Sequence, residues 1–278
     1  MKSAIVVDTS VEVQPDMFNY YDIYPIGYLV IDSKGTKYYE RETIRNLRTA
    51  ELRNLLNRDR KAQLLAPSLK DFVELYTYLA EEFDHITSIH SALFTPAVFE
   101  NAILAKKLVS GASIDIIETH CFGSASGLFL EQLARVISSA KRINEIRKAA
   151  INYNRGIEAY IIARQDLLHM IGLRKTTWLT GITATIRPFV LYHFYNGQWE
   201  EVLRSRNTKG MIEHINKRLE LIKNVKSIQR VGVSYTSDFI QEKESLLKSL
   251  SNIKMVTYEP SLISYYLLNK SYVSIAFV

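Results

Sequence analysis

The chain has 278 residues, a net charge of +6, 47% hydrophobic and 23% charged residues, which is room for one large or two medium domains with a real core. That composition excludes a disordered or collagen-like chain, and a single cysteine, Cys121, excludes an intrachain disulfide or a thiolate zinc cage. The basic residues are dispersed beside acids and form no stripe with surface aromatics, so nucleic acid is not an expected partner. No run of about 18 apolar residues occurs, so no membrane span is expected. The apolar run Ala4 to Val7 is too short for a signal peptide, and the expected compartment is the cytoplasm.

In chain order, Ala4 to Val7 reads as a strand closed by the turn-prone Asp8-Thr9-Ser10. Residues 23–31 form a second apolar run, followed by the turn Asp32-Ser33-Lys34-Gly35 and a hairpin partner at Tyr38-Tyr39. Residues 43–58 have helical spacing, and 63–65 read as a short buried run. Pro67-Ser68 offers a cap for a helix over 70–82, with Phe72, Leu75, Tyr76 and Leu79 on one face. A strand follows at 86–90. Thr95 then caps a helix that opens with Pro96 and runs to about Ser110. Residues 114–118 form a strand, and Ser124 to Gly127 opens a helix over 128–141. Repeated strand–turn–helix units predict a parallel α/β sheet, whose ligands bind at the carboxyl ends of the strands.

Beyond about residue 152 the pattern changes. A strand at 157–163 and a short helix at 167–171 precede a hairpin, in which 182–195 meets 198–204 across Asn196-Gly197. Helix 208–224, strand 230–234, helix 238–250, strand 253–258, helix 260–268 and strand 273–278 complete a mixed sheet. The expected organisation is therefore an N-terminal α/β domain, 1–153, and a C-terminal mixed α/β domain, 154–278. With no Gly/Pro linker between them, the two should pack tightly.

Signatures of turnover are missing. The six histidines show no HxxxH or HExxH spacing, so no metal is expected. GxGxxG, GxxxxGK[ST] and GxSxG have no match, so no cofactor is expected either. Adjacent strand-end residues such as His120 and Cys121 point apart, and Cys121 reads better as a buried thiol than as a nucleophile. Gly123-Ser124-Ala125-Ser126-Gly127 would present backbone N–H groups to an anion, yet the same residues are also simply good helix openers. The residues point to binding rather than catalysis.

The order of segments resembles the DegV family of fatty-acid-binding proteins. Ala4-Ile5-Val6-Val7-Asp8-Thr9-Ser10 is similar to its opening strand and Asp-Ser-Thr turn, and Tyr24-Pro25-Ile26 to its Val-Pro-Leu. Ala66-Pro67-Ser68 with Asp71-Phe72 resembles its Gln-Pro-Ser…Asp-Phe loop and helix, and Ser126-Gly127-Leu128 a later helix opening. Ile186-Arg187-Pro188-Phe189 before Asn196-Gly197 resembles Ile-Lys-Pro-Ile and its hairpin. Arg204-Ser205-Arg206-Asn207-Thr208 is similar to a Lys-Val-Arg-Thr turn. The resemblance covers essentially the whole chain. It implies two α/β domains, a buried long-chain acyl ligand, no catalytic machinery, and in some bacteria a fatty acid kinase as partner.

The departures concentrate where the family holds the ligand's head group. Leu64-Leu65 stands in place of Thr-Ser, and Leu93 and Phe94 fall within the Ser-Ser-x-Leu-Ser-Gly-Thr segment. Leu267 stands in place of a C-terminal histidine. Ser68, Ser91, Thr95, Arg187 and Arg206 are the remaining groups able to meet a carboxylate. Losing hydroxyls and a histidine should disfavour a buried carboxylate, which is costly without donors. The expectation is a lipid-binding protein of DegV type with an altered head-group site. The alternative is a pocketless regulatory relative, its ancestral cavity filled by Phe94 and Leu267.

Overall fold

The computed structural model describes residues 1–41, 48–91, 95–164, 188–225, 228–250 and 253–278. The apolar strands β1 (Ser3–Asp8), β2 (Ile23–Ile26), β6 (His85–His90) and β7 (Ser113–Glu118) form a parallel sheet in the order β2-β1-β6-β7. A sheet buried on both faces calls for continuous apolar runs, and the middle strands β1 and β6 are buried at all but one position.

The long run at 23–31 is two strands. After Ile26 the chain leaves the parallel sheet at Gly27 and re-forms as β3 (Leu29–Ile31), which pairs antiparallel with β4 (Lys37–Tyr39) and β5 (Gln63–Leu65). Gly27 makes this departure possible, because a Cβ there would lie 2.7 Å from the backbone N of Arg41. The hairpin at Tyr38-Tyr39 forms as expected. The run 63–65 is a strand but not a buried one, since Gln63 and Leu65 are exposed at the edge of this small sheet.

Helices α1 (Met17–Tyr20), α2 (Thr49–Arg58), α3 (Leu69–Ala80), α4 (Pro96–Leu108) and α5 (Ser124–Ser139) accompany these strands. Ser68 caps α3 in a reciprocal box: its hydroxyl accepts from the Asp71 N–H, and Asp71 accepts from the Ser68 N–H. Phe72, Leu75, Tyr76 and Leu79 are the buried face. Thr95 occupies the N-cap position of α4 but does not cap it; its hydroxyl donates back to the Ser91 carbonyl (2.8 Å).

A helix the periodicity does not announce, α6 (Ile143–Gly156), joins the two larger sheets. Strands β8 (Glu158–Ala163), β9 (Phe189–Tyr195), β10 (Gln198–Ser205), β11 (Val231–Tyr235), β12 (Met255–Tyr258) and β13 (Tyr272–Phe277) form a six-stranded sheet in the order β10-β9-β8-β13-β11-β12. All its pairings are antiparallel except β11 with β12. Asn196 and Gly197 both have positive φ, as a type I′ turn requires. Helices α7 (Lys209–Val225), α8 (Ile240–Leu247) and α9 (Leu262–Leu267) complete this half. The short helix expected at 167–171 lies outside the described residues.

The larger core runs without a break from the parallel sheet through α5 to one face of the mixed sheet; the smaller core lies on that sheet's other face. Helix α5 touches β1 on one side and β8, β11, β12 and β13 on the other. Gly127 permits the close approach, since a Cβ there would fall 2.5 Å from the Tyr258 ring and 2.7 Å from the Glu12 carbonyl.

Candidate functional site

In the order β2-β1-β6-β7, successive connections leave β1 in opposite directions, so the carboxyl ends of β1 and β6 define the topological switch point where open α/β sheets bind ligands. Asp8 and His90 end those two strands, and both are 0% exposed. His90 Nδ1 meets Asp8 Oδ2 at 2.7 Å, His90 Nε2 meets Ser88 Oγ at 2.7 Å, and the Tyr76 hydroxyl donates to Ser88 Oγ at 2.7 Å. These partners fit a one-way chain of donors: Tyr76 to Ser88, Ser88 to His90 Nε2, and His90 Nδ1–H to Asp8. The tyrosine Tyr28 adds its hydroxyl to Asp8 Oδ1 at 3.4 Å; burial first, then the Asp8 charge, hold that phenol well above its ordinary range.

Asp8, His90 and Ser88 thus sit in the relation of a charge-assisted nucleophile relay. The relay is sealed. Ser88 is fully buried and already accepts from Tyr76, so a substrate would have to open the core to reach it. The arrangement serves as a polar strut that fixes the ends of β1 and β6 against α3.

Beside the strut, a second buried carboxyl anchors the small sheet. Glu40 accepts from the Thr9 hydroxyl, the Tyr28 N–H (3.0 Å) and the Thr49 hydroxyl (2.7 Å). Burial pushes its carboxyl up and these bonds partly offset the rise. Outward from this point opens a groove of about 540 Å³, lined by Ile26, Gly27 and Leu29, by Tyr39 and Arg41, by Leu65 to Ser68, and by Lys70, Asp71 and Glu74. That volume suits a small-molecule ligand, for which sites span roughly 300–1,000 Å³.

The sequence-singled residues divide clearly. Ser68 lines the groove, and Leu64 sits one residue before its wall, half-buried against the larger core. Ser91 and Thr95 lie together behind the strut, both buried, and Ser91 Oγ has no partner among the described residues. Leu267 packs half-buried on the larger core at the end of α9. Arg206 is exposed in the turn after β10, the outer strand of the mixed sheet, and does not line the groove. Leu93, Phe94 and Arg187 lie outside the described residues.

The Ser124–Gly127 helix start has no space for an anion. Ser124 Oγ meets Ser274 Oγ at 2.8 Å, Ser126 Oγ donates to the Gly123 carbonyl, and the Glu12 N–H donates to Ser126 Oγ at 3.1 Å. Cys121 is buried and its thiol is pushed up by that burial, the opposite of an activated nucleophile. The groove residue that sequence reading passed over is Arg41. Arg41 carries no motif; its only signal is a lone arginine beside the acidic end of an exposed hairpin.

The molecule is thus an α/β protein with a sealed polar strut at its switch point and an open amphipathic groove beside it. The chain belongs to the DegV family: the sequence model described as "Uncharacterised protein, DegV family" matches residues 2–266. A DegV domain-containing protein of Caldanaerobacter subterraneus subsp. tengcongensis is 23% identical over 257 residues, covering 89% of this chain and 88% of that one. The fold is similar to that of DegV from Bacillus subtilis, described as a fatty acid binding protein, with a TM-score of 0.79 at 19% identity over 100% of this chain and 99% of that one. It is likewise similar to a stearic acid-binding protein of Eubacterium ventriosum, with a TM-score of 0.78 at 16% identity over 99% and 97% of the two chains.

Proposed function

We propose that this protein is a non-enzymatic, cytoplasmic binder of a long-chain acyl ligand, which it holds for a separate enzyme, a fatty acid kinase where the host has one. The observation that carries the reading is the groove. Its rim, Ala66-Pro67-Ser68, is the segment that resembles the family's ligand loop, and its walls combine apolar side chains with a few convergent polar ones. Two solved members of the same fold are described as binding fatty acids. Among the described residues, no helix is long and apolar enough to cross a membrane.

Leu64-Leu65 replaces hydroxyl donors at the groove's edge, so the head group is met by other residues than those the resemblance implies. A second reading, a pocketless relative, is favoured by Leu267, which packs on the core where a histidine is implied. Mass spectrometry of the purified protein, native and after organic extraction, separates the two. A stoichiometric acyl ligand is expected. An empty protein that also takes up no fluorescent acyl probe would overturn the acyl reading in favour of the second.

A further inference from the structure

One charged side chain that lines the groove holds a buried donor atom with no partner among the described residues. It is Arg41, two residues beyond the end of β4, and the atom is its Nη1. The carboxylates around it that are among the described residues have other partners. Asp71 accepts from both N and Oγ of Ser68 at 2.7 Å, and Glu74 faces Lys70 at 3.6 Å. Glu40, next to Arg41 in the chain, turns inward to Thr9, Tyr28 and Thr49. A buried guanidinium donor left open carries a desolvation cost that only an acceptor removes, and its planar fork matches a carboxylate.

Strand register puts this cation at the position the head-group argument needs. Leu29 on β3 pairs with Tyr39 on one side and with Leu65 on the other. Arg41, two residues beyond Tyr39, therefore stands across β3 from β5 and two positions along from Leu65, one of the pair where the resemblance implies hydroxyls. Ile26, Leu29, Tyr39 and Leu65 supply apolar surface beside it.

We propose that Arg41 is the head-group residue of the groove, its guanidinium pairing with the carboxylate of a long-chain fatty acid laid along Leu29 and Leu65. This rests on the acyl-binding reading and names its ligand as the anion. A cation has replaced hydroxyls, so the loss at Leu64-Leu65 is a change of recognition chemistry and not a loss of the carboxylate.

The test is competition of palmitate and of uncharged 1-hexadecanol against a fluorescent acyl probe, on the full chain and its Arg41→Gln and Arg41→Lys variants. Arg41→Gln is expected to weaken palmitate about 10- to 100-fold while hexadecanol stays within about twofold, the scale of a lost charge-assisted pair; Arg41→Lys falls between. Palmitate binding unchanged in Arg41→Gln overturns the assignment and leaves the acyl reading standing. Equal loss of both ligands also overturns it, because that reports a disturbed groove wall and not a missing ion pair. Wild-type protein that binds neither ligand overturns the acyl reading itself, and Arg41 with it.

Discussion

Glu12 offers the sharpest test of how the two large sheets are held together. Its carboxyl is fully buried, and Oε1 accepts from the Tyr272 hydroxyl (2.9 Å) and the Ser234 hydroxyl (3.0 Å), both on strands of the mixed sheet. Its backbone N–H is fixed by Ser126 on α5. Burial raises the carboxyl from 4.5 to about 7, although the bonds from Tyr272 and Ser234 oppose the rise. An acid whose pKa is raised on folding binds its proton more tightly in the folded state. Stability is therefore fullest below about 4.5 and falls as pH climbs through about 7. A shift of that size corresponds to on the order of 3 kcal/mol between the two plateaus.

Glu12→Gln removes the ionisation while keeping an acceptor for Tyr272 and Ser234, at the cost of about 1 kcal/mol for an amide group less well matched to its surroundings. The variant is expected to be slightly less stable than wild type near pH 5 and more stable by roughly 2 kcal/mol near pH 8. Urea denaturation of both proteins across that range reads the difference directly and cancels other titrating groups such as Glu40. A wild-type-minus-variant difference that does not change with pH would refute the account.

Glu158 behaves in the opposite sense. Burial alone would raise it, but hydrogen bonds and charge from His193 and Arg218 bring it down to about 2, so its contribution is present above about 4.5 and lost as pH falls toward 2. Arg218→Met is expected to cost roughly 1–2 kcal/mol at neutral pH, discounted because the Arg218 side chain is 39% exposed, and progressively less toward pH 3. A cost in urea denaturation that is equal at both pH values contradicts this. His90→Ala, which takes the partner from Asp8 Oδ2 and leaves a void, should cost about 3 kcal/mol or more, whereas Ser88→Ala should cost about 1 kcal/mol and leave acyl binding intact. Loss of probe binding in a fully folded Ser88→Ala protein would show that the strut does more than support. Gly127→Ala forces a Cβ into Tyr258 and the Glu12 carbonyl and should cost about 1–3 kcal/mol in thermal melts; an unchanged melting temperature would mean that α5 and the mixed sheet can separate freely.

Much of the fold was legible because its signals are local. Ser68 with Asp71, and Asn196 with Gly197, specify a cap and a turn from neighbouring residues alone. Three features escaped. Helix α6 has only Ile146 and Ala150 buried, so its basic, solvated remainder masks the stripe. The division of 23–31 at Gly27 depends on the later approach of Arg41, a contact that periodicity cannot contain. Thr95 has the right identity for a cap, but its hydroxyl is drawn to the Ser91 carbonyl. At the site, Ser68 was legible through its motif. Arg41 was not, because what distinguishes it is a buried Nη1 without a partner among the described residues while Asp71, Glu74 and Glu40 turn to other groups, a property of the folded arrangement.

That difference bears on how a binding site changes its chemistry without losing its ligand. Burying a sixteen-carbon tail contributes on the order of 10 kcal/mol gross whatever head it carries, so the head-group residues govern which amphiphile enters and which way round it lies. Hydroxyls donate and accept, and can hold a carboxylic acid, a carboxylate or an alcohol. A guanidinium only donates and remains charged, so it favours the ionised head and discriminates against neutral ones. Moving recognition from the edge strand β5 to the end of β4 carries it across β3 to the opposite edge of a single three-stranded sheet. Leu65 is then free to be apolar: with the charge met across the sheet, it extends the surface along which the tail lies, while Leu64 packs on the core behind it.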